Sequence, residues 1–279
     1  MHSERGGIAR FGAMPAILAA GACIIVGLLP GPAASTVAPA RVRQTSQYWI
    51  TSRGTISAID EVDPRVVRQT FASRRAVALN GWDGSVAGRA WASYAEFRAD
   101  VKRDMIPSDV RAAMYDPEGW EETPPREQRH PIRYIEKFAR LAHSNGYVAI
   151  VTPHPGLVSV PGAECGRRPG ESQDDAYVRC RIAERTARFA DVYETQAQAL
   201  ENNPQAYRAF VLATAEQARE ANPDVVVLSG LSTSPGYAAT DRMLYAAWSS
   251  VADVVDGHYL SLARQRYPGT AAEFLAEVA

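Results

Sequence analysis

The sequence predicts an α/β fold, specifically a (β/α)8 barrel, and three observations point there. Short runs rich in apolar and β-branched residues recur along the chain, their starts 28, 34, 37, 42, 36 and 29 residues apart, which is the length of one strand-helix unit. Longer segments with three- and four-residue apolar spacing lie between them. Several runs are apolar at every position, Val225-Val226-Val227-Leu228 most plainly, as expected of parallel strands covered on both faces. An open doubly wound sheet would share this rhythm. No G-x-G-x-x-G follows an early strand and no phosphate loop is present, so the barrel is preferred and no cofactor is expected.

The runs are Tyr48–Thr51, Ala76–Leu79, Val110–Tyr115, Tyr147–Thr152, Phe189–Thr195, Val225–Ser229 and Val254–Leu260. That makes seven visible strands, one short of a full barrel. The helices are punctuated as helices should be. Pro131 opens one whose Ile132, Ile135, Phe138, Ala139 and Ala142 share a face, and Asn145-Gly146 closes it. A second runs from about Gln205 to Asn222-Pro223, where the proline stops it. A third spans about Ala239 to Val251, and Thr270–Val278 reads as a closing helix.

The chain has 279 residues, 46% of them hydrophobic and 22% charged, which is the composition of a folded protein. Thirty basic and 31 acidic side chains give a net charge of -1, so the basic excess of a nucleic-acid binder is absent. Residues 1–40 read as an address. Arg5 and Arg10 precede an uncharged stretch from Phe11 to Ala40 that ends in Ala38-Pro39-Ala40, an A-x-A cleavage pattern. A cleaved secretory signal is expected. An uncleaved anchor is the alternative, and it would be the chain's sole link to a membrane. Residues 41–279 are then one exported barrel domain. Cys23 lies inside the apolar stretch and reads as part of it. In an oxidising compartment Cys165 and Cys180 would bridge the polar stretch between them.

A barrel collects its chemistry at the carboxyl ends of its strands. Those ends carry Trp82-Asp83, Tyr115-Asp116-Pro117-Glu118-Gly119-Trp120, His154, Glu194, Gln196, Gln198, and His258-Tyr259. Met114, Asp116 and Glu118 share a strand parity, as do Val192, Glu194, Gln196 and Gln198. If those parities face inward, carboxylates meet amides and indoles in one mouth, a surface suited to sugars. Cleaving a glycosidic bond needs a carboxylic acid for the leaving oxygen and a carboxylate as nucleophile or base. Asp116 and Glu194 are the expected catalytic pair, with Glu118 as substitute. Trp82, Asp83, Tyr115, Trp120, His154, Gln196, Gln198, His258 and Tyr259 are the expected binding residues. The pair Glu121-Glu122 and the run Arg126–Arg129 read as a solvated loop. No G-x-S-x-G or H-E-x-x-H is present, and no metal site is expected. Two other readings stay open: a catalytically silent glycan-binding barrel using Trp82, Trp120, Gln196 and Gln198, and a phosphodiesterase using His154 and His258.

Tyr115–Trp120, Thr123-Pro124, Glu127-Gln128, Gln196-Ala197-Gln198 and Leu231-Ser232-Thr233 form a pattern that resembles a group of exported proteins in the glycosidase-like (β/α)8 superfamily. The resemblance spans about Val77 to Leu262 and implies the barrel fold and a carbohydrate ligand. Retaining glycosidases of the largest barrel clan carry an acid glutamate after strand four and a nucleophile glutamate after strand seven. Counted over the seven visible runs, this chain has His154 and His258-Tyr259 there. The D-x-x-D-x-D-x-E of chitinase-like barrels is also absent, so no catalytic pair is carried over.

Overall fold

The computed structural model describes residues 47–234, 240–262 and 266–278. The segment expected to be the signal lies outside the described residues. Eight parallel strands close into a barrel: β1 (Tyr48–Ser52), β2 (Ala76–Leu79), β3 (Val86–Trp91), β4 (Ala112–Tyr115), β5 (Val148–Val151), β6 (Val192–Thr195), β7 (Val226–Ser232) and β8 (Gly257–Ser261). The pairing of β8 with β1, Trp49 beside His258 and Ile50 beside Tyr259, completes the ring and rules out the open sheet. Helices α1 (Arg53–Asp60), α2 (Pro64–Phe71), α3 (Tyr94–Lys102), α4 (Pro125–Arg129), α5 (Pro131–Ser144), α6 (Gln173–Arg179), α7 (Ile182–Ala187), α8 (Pro204–Ala221), α9 (Asp241–Val251) and α10 (Pro268–Val278) complete the order of elements. Among the described residues no helix is long and apolar enough to cross a membrane.

Strand alternation sorts the core into two regions. Ile50, Leu79, Ala112, Met114, Ile150 and Leu228 fill the barrel interior, with Val77, Val192, Val226 and Tyr259 against them. Residues of the opposite parity, such as Trp49, Ala78, Trp91, Tyr115, Val151, Tyr193 and Leu260, pack outward under the helices. Local chemistry sets the helix starts. Asp63 accepts from the Arg65 amide at 2.9 Å, Ser93 from Glu96 at 3.3 Å, and Thr240 from Met243 at 3.2 Å.

The strand missing from the sequence reading is β3. Its sequence, Val-Ala-Gly-Arg-Ala-Trp, is poor in β-branched residues, and no helix separates it from β2. Residues 80–85 alone connect the two strands. Asn80, Gly81 and Gly84 take positive φ values of 69°, 76° and 84°, which turns the chain back along the outside of the barrel. A Cβ on Gly84 would come within 3.1 Å of the Ala72 Cβ, so the returning chain hugs the end of α2. Inside, a Cβ on Gly88 would lie 2.6 Å from Val77 Cγ1. The glycine that weakens β3 as a strand signal is what lets the side chains of β2 fill the barrel.

The run Arg126–Arg129, expected in a solvated loop, belongs to α4, and its Glu127 is buried. That carboxyl accepts hydrogen bonds from the Tyr94 and Ala95 amides, at 2.7 and 3.1 Å, and from the Tyr115 hydroxyl at 2.7 Å. It therefore anchors the start of α3 to β4. Cys165 and Cys180 form the expected disulfide. Closing a ring of this size stabilises a fold by about 3 kcal/mol on the chain-entropy account. Arg179 adds a fork to Glu171, at 2.7 and 2.9 Å, and a bond to the Gly166 carbonyl at 2.9 Å. The loop so fastened carries α6.

Candidate functional site

At the carboxyl end of the barrel lies a cavity of about 170 Å3, lined by Glu118, His154, Gln173, Asp174, Gln196, Gln198, Ser232 and Ser261 among others. The sequence converges there through the inward parity. Asp116 and Glu118 continue the inward row of β4, Thr152 that of β5, Glu194 and Gln196 that of β6, and Tyr259 and Ser261 that of β8.

Asp116 is gripped by two neighbouring strand ends. The Thr152 hydroxyl donates to its Oδ1 at 2.8 Å and the Gln196 amide at 2.6 Å, while Gln196 also donates to the Thr152 carbonyl at 2.7 Å. Burial pushes the Asp116 carboxyl up to about 6, with the Thr152 and Gln196 hydrogen bonds working against that rise. Glu118 is pushed further, to about 8, by burial first and then by the charges of Asp116 and Glu122. Glu194 is only 1% exposed and is raised well above the usual carboxylate range by burial, then by Asp116 and Glu118. Tyr259 is raised by burial and by the same three carboxylates, so it faces the cluster.

Glu194 owes its position to a glycine on the neighbouring strand. A Cβ on Gly230, in β7, would collide with Glu194 Oε1 and with Gln198 Nε2. Behind them Glu201, fully buried, accepts from the Ser232 amide at 2.6 Å, and the Tyr207 hydroxyl donates to the Gly230 carbonyl at 2.8 Å. Burial lifts Glu201 to about 9.

His154 reaches the cavity with its Nδ1 accepting from the Gly156 amide at 2.9 Å. That assigns the remaining proton to Nε2, and burial lowers the ring's basicity, so His154 is a neutral donor. The loop fastened by the disulfide contributes Gln173 and Asp174 to the rim.

Several expected binding residues lie elsewhere. Tyr115 faces outward, bonded to Glu127 and stacked on Phe138 with ring centroids 5.2 Å apart. His258 also has the outward parity. It is buried between Trp49 and Trp248, at 5.4 and 6.3 Å, with Nδ1 2.9 Å from the Ser229 hydroxyl. Burial pushes it down to about 3, which keeps it neutral. The barrel wall thus separates His258 from His154, and the two-histidine phosphodiesterase has no common site. Trp82 and Asp83 leave the mouth with the chain that returns to β3. Trp82 packs on the outer core, and both residues line a separate groove with Arg53, Arg74, Asp109 and Arg111. Trp120 is 42% exposed, its indole donating to the Thr123 hydroxyl at 3.2 Å. The silent-barrel reading therefore loses Trp82 as a platform. Thr152, Gly230 and Ser232 stand at strand ends of the sequence reading but were given no role there, and Ser261 and Glu201 were not expected at the site.

The added strand also changes the numbering of strand ends. Asp116 and Glu118 follow strand four, His154 follows strand five, and Glu194 is on strand six. Strand seven ends at Ser232, followed by Thr233 and Ser234, with no carboxylate there.

No family model and no curated protein matches the chain. Among solved structures it is similar to a glycoside hydrolase family 17 β-1,3-glucanosyltransferase from Rhizomucor miehei, at 10% identity and a TM-score of 0.43, covering 77% of this chain and 86% of that one. It is similar to the carboxyl transferase domain of Rhizobium etli pyruvate carboxylase, at 8% identity and a TM-score of 0.44, covering 85% of this chain and 46% of that one. Ornithine decarboxylase from Entamoeba histolytica aligns at 6% identity and a TM-score of 0.41, over 80% of this chain and 60% of that one. Likenesses this distant carry no functional argument, and the barrel stands on its own strand pairing.

Proposed function

We propose that the protein is an exported glycoside hydrolase whose acid and base are Glu118 and Asp116, with Glu194 as the third carboxylate of the site. One arrangement carries this reading: Asp116 and Glu118 follow β4 close enough for the Asp116 charge to act on Glu118, Asp116 is hydrogen-bonded to Thr152 and Gln196, and their surroundings push Glu118 to about 8 and Asp116 to about 6. Environments that divide two neighbouring carboxyls in this way assign the acid and the base. At neutral pH Glu118 keeps its proton and Asp116 is ionised. Glu118 donates its proton to the glycosidic oxygen as the bond to the anomeric carbon breaks. Asp116, steadied by Thr152 and Gln196, supports the positive charge that grows on the sugar. Water then adds at the anomeric carbon as Asp116 takes its proton, and exchange with solvent returns that proton to Glu118. The neutral His154 and the Gln196 and Gln198 amides supply hydrogen bonds to sugar hydroxyls. The Cys165–Cys180 bridge supports the oxidising setting that the amino-terminal segment suggests.

The test is turnover of a panel of polysaccharides by the secreted protein, beside Glu118→Gln and Asp116→Asn. A loss of about 100-fold or more in each variant is expected from removal of an acid or base. Equal rates in the three proteins would reject the assignment.

A further inference from the structure

Gln196 has lost half of its hydrogen-bonding capacity to its neighbours. A glutamine amide ordinarily both donates and accepts. Here one hydrogen of Nε2 goes to Asp116 Oδ1 at 2.6 Å and the other to the Thr152 carbonyl at 2.7 Å. A carbonyl oxygen cannot donate, so this pairing fixes the orientation of the amide and spends both its hydrogens. Oε1 has no partner among the described residues and is not sealed away from solvent. Because Gln196 lines the cavity, a ligand there meets a glutamine that can only accept. The side chains of Gln198 and Ser261, on the same lining, hold no hydrogen bond among the described residues and can turn to suit either kind of partner. Gln196 cannot adapt in that way.

Its place beside Asp116 decides what it can accept from. The oxygen and nitrogen of a carboxamide are about 2.3 Å apart, which puts Oε1 within about 5 Å of Asp116 Oδ1. Asp116 is the carboxylate that supports charge at the anomeric carbon. That carbon is bonded to the ring oxygen, the glycosidic oxygen and C2, and neither oxygen carries a hydrogen. The nearest donor for an acceptor so close to Asp116 is therefore the substituent on C2. Such a bond strengthens as positive charge grows next to it in the transition state.

We infer that Gln196 is a specificity-determining residue whose Oε1 accepts from the C2 substituent, so that the mouth takes sugars whose C2 group has a hydrogen to donate. A free 2-hydroxyl or a 2-acylamino N–H meets that requirement. A 2-deoxy sugar leaves Oε1 unsatisfied, and a 2-O-alkylated or 2-O-acylated sugar sets lone pair against lone pair. This rests on the reading of Asp116 and Glu118 as a glycosidase pair and adds the feature by which the substrate is chosen.

The probes are the 4-nitrophenyl glycosides of glucose, galactose, mannose and xylose in both anomers, with their 2-deoxy and 2-O-methyl forms. Binding is measured by isothermal titration on Glu118→Gln, which lacks the acid and leaves the sugar uncut, and turnover on the wild type. At least one 2-hydroxy glycoside should bind about 10-fold or more tighter than both of its modified forms. One form is smaller than the parent sugar and the other larger, so size alone does not produce both losses. Adding Gln196→Met should bring the three forms level, because the acceptor is gone. Adding Thr152→Val instead removes the other donor to Asp116 and should keep the margin, which separates reading the sugar from steadying Asp116. Failure of every glycoside to bind, a modified form that binds as tightly as its parent, a margin that survives Gln196→Met, or one that Thr152→Val also erases would overturn the inference. Thermal melts show that the variants are folded, and should Gln196→Met fail there, the three forms compared on Glu118→Gln alone still decide. Selective binding without turnover by the wild type would reject the hydrolase and leave this inference standing, whereas turnover and binding that treat the three forms alike would do the reverse.

Discussion

Replacing Glu201 by glutamine should stabilise the protein, and by more as the pH rises. Glu201 is fully buried, one of its oxygens accepts from the Ser232 amide at 2.6 Å, and the other, Oε2, has no partner. Burial raises its pKa from 4.5 to about 9. An unfolded chain therefore releases this proton above about pH 4.5 while the fold retains it. A raised carboxyl pKa gives stability that is complete below the unfolded value and drains away as the pH climbs towards the folded value. Each unit is worth about 1.4 kcal/mol, so at pH 7 the wild type carries a penalty of up to about 3 kcal/mol from this one group. Glutamine keeps the acceptor for Ser232 and has no proton to lose. In a protein of this size the gain corresponds to a melting point about 6 to 12 °C higher at pH 7. Thermal melts of wild type and Glu201→Gln at pH 5, 6, 7 and 8 check this. The gap should open steadily from pH 5, and two parallel curves would refute the burial argument. Glu118 and Glu194 titrate alike in both proteins, so the difference isolates Glu201.

The pH dependence of kcat/KM should be a bell. Activity rises through about 6 as Asp116 ionises and falls through about 8 as Glu118 loses its proton. Glu118→Gln should abolish the falling limb along with most of the rate. Gly230→Ala places a methyl group where Glu194 Oε1 and Gln198 Nε2 now lie, and should cost about 1 to 3 kcal/mol in denaturant melts as well as weakening ligand binding. Tyr115→Phe removes one of the three donors to the Glu127 carboxyl. It should lower stability by about 1 to 3 kcal/mol and leave kcat unchanged, because the ring faces the helices; a lower kcat in a fully folded variant would return Tyr115 to the site.

The fold was legible where apolar pattern and element length agree. Val225–Leu228, apolar on both faces, and the α5 stripe of Ile135, Phe138, Ala139 and Ala142 owe nothing to context, and both stand where the sequence puts them. β3 was hidden for a physical reason. Its identity rests on Gly88 making room for Val77 and Leu79, and on three positive φ angles that replace a crossover helix with six residues of turn. Neither feature carries a periodic signal, and the usual spacing of a strand-helix unit argues against a strand so close to β2. Glu127 was misread for a similar reason. A charged run looks solvated until the helix start and the tyrosine that it must satisfy are folded against it.

The site was legible in its parity and illegible in its depth. The inward row of Asp116 and Glu118 and that of Glu194 and Gln196 follow from period-two alternation alone, and they meet at the same end of the barrel. His258 and Tyr259 show how little separates a site residue from a wall residue. They are neighbours in β8, and a single step of register sends Tyr259 to the carboxylates and His258 to the tryptophans. Composition at a strand end therefore names two candidates where geometry admits one. The missing strand compounds the error, since it shifts every later strand by one and moves the Asp116-Glu118 pair to the end of strand four. Strand count, and with it the strand end on which each carboxylate stands, is a property of the closed ring. It depends on β3, the strand whose residues announce it least.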